Sequence, residues 1–141
     1  MTTTHPAQSS SPLPRPTRIS RPFWKYAREH RLVLQYCPPC DRYLYYPRPY
    51  CVRCLNAELE WREVSGRGRV YSFTVVRRAA SPAFADRVPY VHAIVELDEG
   101  PRMTTNIVGC APEEVVIGLP VRAIFHDASE EVGLVFFEPE R

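Results

Sequence analysis

"CPPCDRYLYYPRPYCVRC", residues 37–54, carries four cysteines in two C-x2-C pairs separated by ten residues. A C-x2-C pair puts two sulfurs on one tight turn. Two such turns facing each other close a four-thiolate shell around a tetrahedral Zn²⁺. A shell made by Cys37, Cys40, Cys51 and Cys54 leaves no position for water or substrate, so its metal is structural. The ten-residue spacer is just long enough for a strand and a return. Disulfides are a poor alternative in a cytoplasm, and a thioredoxin-like motif needs a βαβ pattern that is absent here. Iron is an alternative metal at an all-sulfur tetrahedral site. Asp41 and Leu55 stand where many zinc knuckles place glycine to permit φ > 0. Asp tolerates that region and Leu does so poorly, which points to Asn56 as the residue that takes the second turn.

The segments around the cysteines give the rest of the architecture. Residues 32–64 have too few large aliphatic side chains to fold alone. Metal binding, worth on the order of 10 kcal/mol or more in such modules, substitutes for a core, with the tyrosines as a packing layer around it. "LVLQY" (32–36), "RYLYY" (42–46) and "ELEWREV" (58–64) read as the ribbon's strands. Upstream, residues 1–18 are rich in Ser, Thr and Pro and read as a disordered tail. Ser20 as N-cap and Pro22 in the first turn open a helix of about three turns within residues 19–31. Phe23, Tyr26 and Ala27 share its apolar face, with Trp24 and Arg28 beside them.

Downstream, strands are expected at 69–78, 90–97, 102–108, 121–126 and 132–137, with a one-turn helical insert in 111–118 between the third and fourth. Over residues 65–141 this order predicts a small Greek-key barrel of the OB type, with a small sandwich as the alternative. The expected fold class is therefore mainly β: an N-terminal helix, a zinc ribbon over 32–64 and an OB-fold barrel.

The 141 residues suggest one domain or two small ones. No stretch approaches the ~20 apolar residues of a membrane-spanning helix, and the N-terminus has no apolar signal-peptide core, so a cytoplasmic protein is expected. Residues 1–95 hold fifteen basic and six acidic side chains; residues 96–141 hold three and ten, a balance of 3 − 10 = −7. The basic front suits an anionic partner. Cys110 reads as a small buried or half-exposed residue, and His92 and His126 as incidental. No Ser/His/Asp set, paired carboxylates or Gly-rich phosphate loop is apparent, which argues against a free-standing enzyme. A single-stranded nucleic-acid module, with Tyr71, Phe73 or Tyr90 for stacking, is the alternative; the acidic second half argues against it.

Taken in order, "YCPPCDRYLYYPRPYCVRC" (36–54), "WREVSGRGRVYSFTVVRR" (61–78), "PYVHAIVELDEGPRMTTNIVG" (89–109), "IGLPVRAIF" (117–125) and "FFEP" (136–139) resemble the acyl-CoA-associated zinc-ribbon/OB-fold family, long labelled a domain of unknown function. The resemblance covers about residues 20–139 and implies a rubredoxin-like ribbon. It also implies an accessory subunit that pairs with a thiolase-like protein: a condensing enzyme, a retro-aldolase acting on steroid side chains, or an archaeal hydroxymethylglutaryl-CoA synthase. A MaoC-like hydratase is a further implied partner, and a two-plus-two assembly the implied stoichiometry. The ligand implied is a coenzyme A thioester. Its phosphates suit Arg42, Arg48 and Arg53 on the ribbon and Arg77 and Arg78 after the first barrel strand, each of which could equally be a solvated surface charge. Phe23, Trp24, Tyr26 and Phe84 are the candidate partner anchors; for the helix aromatics the alternative is packing on the protein's own ribbon.

Overall fold

Leu32 to Tyr36 put five buried side chains in succession before the first cysteine, and the chain is organised around that strand. The computed structural model describes residues 12–141. Of the tail expected over 1–18, residues 1–11 lie outside the described residues, and 12–17 carry no regular secondary structure. Helix α1 spans Arg21–Arg28 and strand β1 spans Val33–Cys37. Strand β1 is the centre of a three-stranded antiparallel sheet, flanked by β2 (Arg42–Leu44) and β3 (Glu60–Glu63).

Two local expectations need correction. Ser20 precedes the helix but does not cap it: its Oγ accepts the Thr17 amide N–H at 2.9 Å, and Ser20 itself already has helical φ and ψ. The helix is also shorter than three turns. His30 takes φ +60, and the amides of His30 and Arg31 return to the carbonyls of Ala27 and Tyr26 at 3.0 Å each. That is a Schellman closure, with histidine among the non-glycine residues that tolerate the left-handed region. It turns the chain directly into β1.

The ribbon strands are shorter than their sequence pattern. Tyr45 and Tyr46 leave β2 to pack on Phe23, with ring centroids at 5.8 and 6.1 Å. Asn56 delays β3 by a local turn, its amide side chain bonding both backbone groups of Glu58 at 3.2 Å.

Five further strands close a barrel in the order β4 (Arg67–Val76), β5 (Tyr90–Leu97), β6 (Arg102–Ile107), β8 (Gly133–Pro139), β7 (Pro120–Asp127). The expected insert is a 3-10 turn at Pro112–Glu114. In β5, Val91, Ala93, Val95 and Leu97 all face inward, as strict alternation requires. A bulge between Val70 and Ser72 leaves Tyr71 without a register partner on β5; its side chain is exposed, with the Arg102 guanidinium 3.8 Å over its ring. The seam between β6 and β8 is parallel and paired at one step only, Ile107 with Phe137.

Helix, ribbon and barrel share one core. Phe23, Leu32, Leu34 and Val64 belong to the same buried cluster as Val70, Val95, Val121 and Phe137. Outside that core, Asp127 on β7 ties down the end of α1, reaching Arg28 Nη1 at 2.9 Å and His30 Nε2 at 3.1 Å. The His30 ring stacks on Phe125 at 5.5 Å. The hydrogen bond from His30, then Arg28, holds the Asp127 carboxyl below its ordinary range. A folded-state pKa below the unfolded one stabilises above the unfolded value and is lost as pH falls through the folded value. Asp127→Asn is therefore expected to lower the melting temperature at pH 7. The gap from wild type closes as pH is taken below about 4, in thermal scans across a pH series.

Candidate metal centre

Each knuckle follows from its local sequence. Cys37 ends β1, and the chain turns at Pro38–Asp41, with the Asp41 amide bonded to the Pro38 carbonyl at 3.2 Å and Asp41 at φ +51. The second turn is closed by the Leu55 amide on the Cys51 carbonyl at 2.9 Å, and Leu55 itself takes φ +65. Asn56 was the expected left-handed residue; it is not. It fixes the knuckle from outside instead, its carbonyl accepting the Cys51 amide at 2.9 Å. Buried Gln35 holds the intervening loop in register: Nε2 donates to the Arg48 carbonyl at 2.8 Å and Oε1 accepts the Arg48 amide at 2.7 Å.

These turns bring the four cysteines together. Their Sγ atoms all lie within 4.8 Å of one another, with Cys37–Cys54 at 3.5 Å and Cys40–Cys51 at 3.9 Å. Tetrahedral Zn²⁺ with Zn–S bonds near 2.3 Å sets sulfurs about 3.8 Å apart. Cys37 and Cys51 are fully buried. Backbone N–H groups of Cys54 and Arg53 draw the Cys51 thiol down to about 6. Cys40 is pushed up to about 12, mainly by its sulfur hydrogen bond to Cys54 and then by burial. Burial raises Cys37. Without a cation the four sulfurs do not all ionise; a dication at their centre reverses that balance. Donor type, spacing and closure therefore fit structural Zn²⁺, which would supply a cross-link and no open coordination site.

The five arginines singled out from sequence sit in two places, three on the ribbon and two beyond the end of β4. All are exposed, and no side-chain partner for them occurs among the described residues. The barrel arginines differ: Arg67, Arg102 and Arg122 pair with Glu140, Glu96 and Glu138 at 2.9–3.3 Å. The aromatic anchors divide too. Phe23 and Trp24 are 2% and 8% exposed, and Trp24 Nε1 donates to the Tyr46 hydroxyl at 3.2 Å. Their area is spent inside the chain, leaving half-buried Tyr26 and Phe84 with surface to offer.

A cleft that the sequence reading did not identify opens where β6 and β8 part. It has a volume of about 250 Å³, with Trp24, Tyr45, Met103 and Leu134 among its apolar walls and the cross-strand pair His92 and Asn106 at its polar side. That is below the roughly 300–1,000 Å³ of sites that hold a whole drug-sized ligand, so it suits part of a ligand. The pattern of single strands holds no signal for such a seam.

Comparison with known proteins agrees with this architecture. Residues 24–60 match the rubredoxin-like zinc ribbon domain of ChsH2, and residues 61–126 match its C-terminal OB-fold domain. Over 110 residues the chain is 38% identical to a DUF35 domain-containing scaffold protein of Methanocaldococcus jannaschii, covering 77% of each chain. The chain belongs to the DUF35 scaffold family. A solved DUF35 structure, titled "Ltp2-ChsH2(DUF35) aldolase", superposes with a TM-score of 0.79 at 38% identity, covering 90% of this chain and 98% of that one. A DUF35 protein of unknown function from Sulfolobus solfataricus, at 15% identity and a TM-score of 0.60, shares the fold. The relative named "Probable enoyl-CoA hydratase alpha subunit" in Thermomonospora curvata is 41% identical over 118 residues, 83% of this chain. The DUF35 chain described here spans only 36% of that protein's length. No helix among the described residues is long and apolar enough to cross a membrane.

Proposed function

We propose that this DUF35 protein is the non-catalytic scaffold subunit of an acyl-CoA enzyme, binding a thiolase-like partner and completing its acyl-CoA site. The observation that carries the reading is the close match, over 98% of its length, to the DUF35 chain of a structure titled as an aldolase of two named components. Arg42, Arg77 and Arg78 support it: phosphate groups of coenzyme A suit guanidinium forks that have no carboxylate partner among the described residues. The cleft at the β6–β8 seam offers an apolar contact for the neutral part of such a thioester. Hydratase alpha subunits among the relatives, including that of Mycobacterium tuberculosis named for 3-oxo-4,17-pregnadiene-20-carboxyl-CoA, favour a MaoC-like hydratase as a further partner and steroid or lipid metabolism as the setting.

The test is co-expression of the tagged chain with the thiolase-like protein encoded nearest to it, followed by native mass spectrometry. The expected result is a hetero-oligomer, two copies of each, with one zinc per DUF35 chain and acyl-CoA turnover by the complex but not by this subunit alone. A zinc-loaded chain that ignores the partner and leaves its activity unchanged removes the proposal. The nucleic-acid reading would then be next, though Tyr71 already has its ring face covered by Arg102.

A further inference from the structure

The second knuckle presents an unusual surface. Val52 and Leu55 are 61% and 68% exposed, and Tyr50, just ahead of them, is 49% exposed. Leu55 is also held at φ +65, a conformation in which a leucine side chain is disfavoured and Asn, Asp or Gly is the ordinary occupant. Its side chain is largely in solvent, so burial in this chain does not offset that strain. A polar residue there would serve the knuckle better and expose less apolar area. Strain of this kind, held by surrounding structure, is a pointer to function.

The surroundings say what kind of surface would cover it. Arg48 and Arg53 flank the two aliphatic side chains in sequence, and neither has a side-chain partner among the described residues. Within residues 37–55 the one carboxylate is Asp41, and it is engaged by the Tyr36 hydroxyl. The tip is thus two aliphatic side chains and a tyrosine beside two guanidinium groups that have no carboxylate partner among the described residues; the zinc centre beneath, four thiolates on one dication, balances their charge overall but makes no hydrogen bond with them. The four-cysteine cluster makes it rigid, which reduces the ordering cost of binding.

We infer that the knuckle tip formed by Tyr50, Val52 and Leu55, with Arg48 and Arg53, is the protein-docking anchor of this chain, inserting into an apolar recess edged by carboxylates on the partner. This rests on the scaffold reading above and adds the surface that reading lacked, since Phe23 and Trp24 are buried at home. An apolar centre with charged neighbours matches the anatomy of binding hot spots.

Leu55→Asn separates this role from a structural one, because the two predict effects of opposite sign. The free zinc-loaded chain is expected to melt about 2–4 °C higher with strain relieved. Affinity for the co-expressed thiolase-like protein, measured by calorimetric titration, is expected to fall at least about tenfold, as is that of Val52→Ser. Wild-type binding with unchanged affinity in both variants overturns the docking surface and leaves the scaffold proposal standing. No binding by the wild type overturns both. Self-association of the free chain that Leu55→Asn abolishes assigns the tip to a second copy and likewise overturns it.

Discussion

Cys51→Ser yields a chain that no longer retains zinc and has lost its ribbon. Cys51 is fully buried, and its sulfur accepts the Arg53 amide at 3.3 Å. Backbone N–H groups of Cys54 and Arg53 draw it toward the thiolate form. Metal binding in comparable modules is worth on the order of 10 kcal/mol, comparable to the whole stability of a domain this size. The damage should not stop at the ribbon, because Leu34 and Val64 pack in the same cluster as barrel residues Val70 and Phe137. Zinc content by native mass spectrometry and unfolding by circular dichroism test both parts. Cys110→Ser, outside the four-sulfur cluster, is expected to keep one zinc per chain. A Cys51→Ser chain that unfolds at the wild-type temperature would show that the cluster does not hold the fold.

Gly133→Ala is expected to be strongly damaging. A Cβ at Gly133 would lie 2.5 Å from the Ala27 carbonyl carbon and oxygen and 2.6 Å from the Arg28 amide nitrogen. All three are backbone atoms of α1 or its end, so no side-chain rotation relieves the clash. The helix has nowhere to retreat, because Phe23 is buried in the core and Arg28 is tied to Asp127. Overpacking typically costs about 1–3 kcal/mol and more where the backbone must move, so about 3 kcal/mol or more is expected in denaturant titrations. Gly118→Ala is the contrast: nothing lies within 4 Å of its added Cβ. There only the left-handed backbone, at φ +87, is penalised, by about 1–2 kcal/mol. Equal losses at the two positions would refute the crowding argument.

What could be read in advance, and what could not, divides along local and non-local lines. Cysteine spacing placed the four sulfurs because each pair is a local turn. Strand β5 was legible to the residue because its alternation is unbroken from Tyr90 to Leu97. The OB order followed from the count of strands and the insert before β7. The misreadings arose where one side chain decides between two local options. His30 adopts the left-handed turn that stops α1 early, and Leu55 takes the conformation expected of Asn56. Ser20 spends its hydroxyl on Thr17. The direction in which Phe23 and Trp24 face depends on Tyr45 and Tyr46, some twenty residues away, and the cleft at the β6–β8 seam on strands that meet at one step. Sequence pattern carries neither.

The uneven pairing of the cations bears on how two molecules find each other. Arg67, Arg102 and Arg122 of the barrel are neutralised by neighbouring carboxylates at short range, while Arg42, Arg48 and Arg53 on the ribbon and Arg77 and Arg78 beyond β4 have no carboxylate partner among the described residues. Each unpaired guanidinium group therefore leaves a local positive field, at the ribbon loop and beyond the end of β4. Such a field acts beyond contact, out to roughly the 8 Å Debye length of physiological salt, and turns the carboxylates of an approaching surface toward these arginines before any side chains touch.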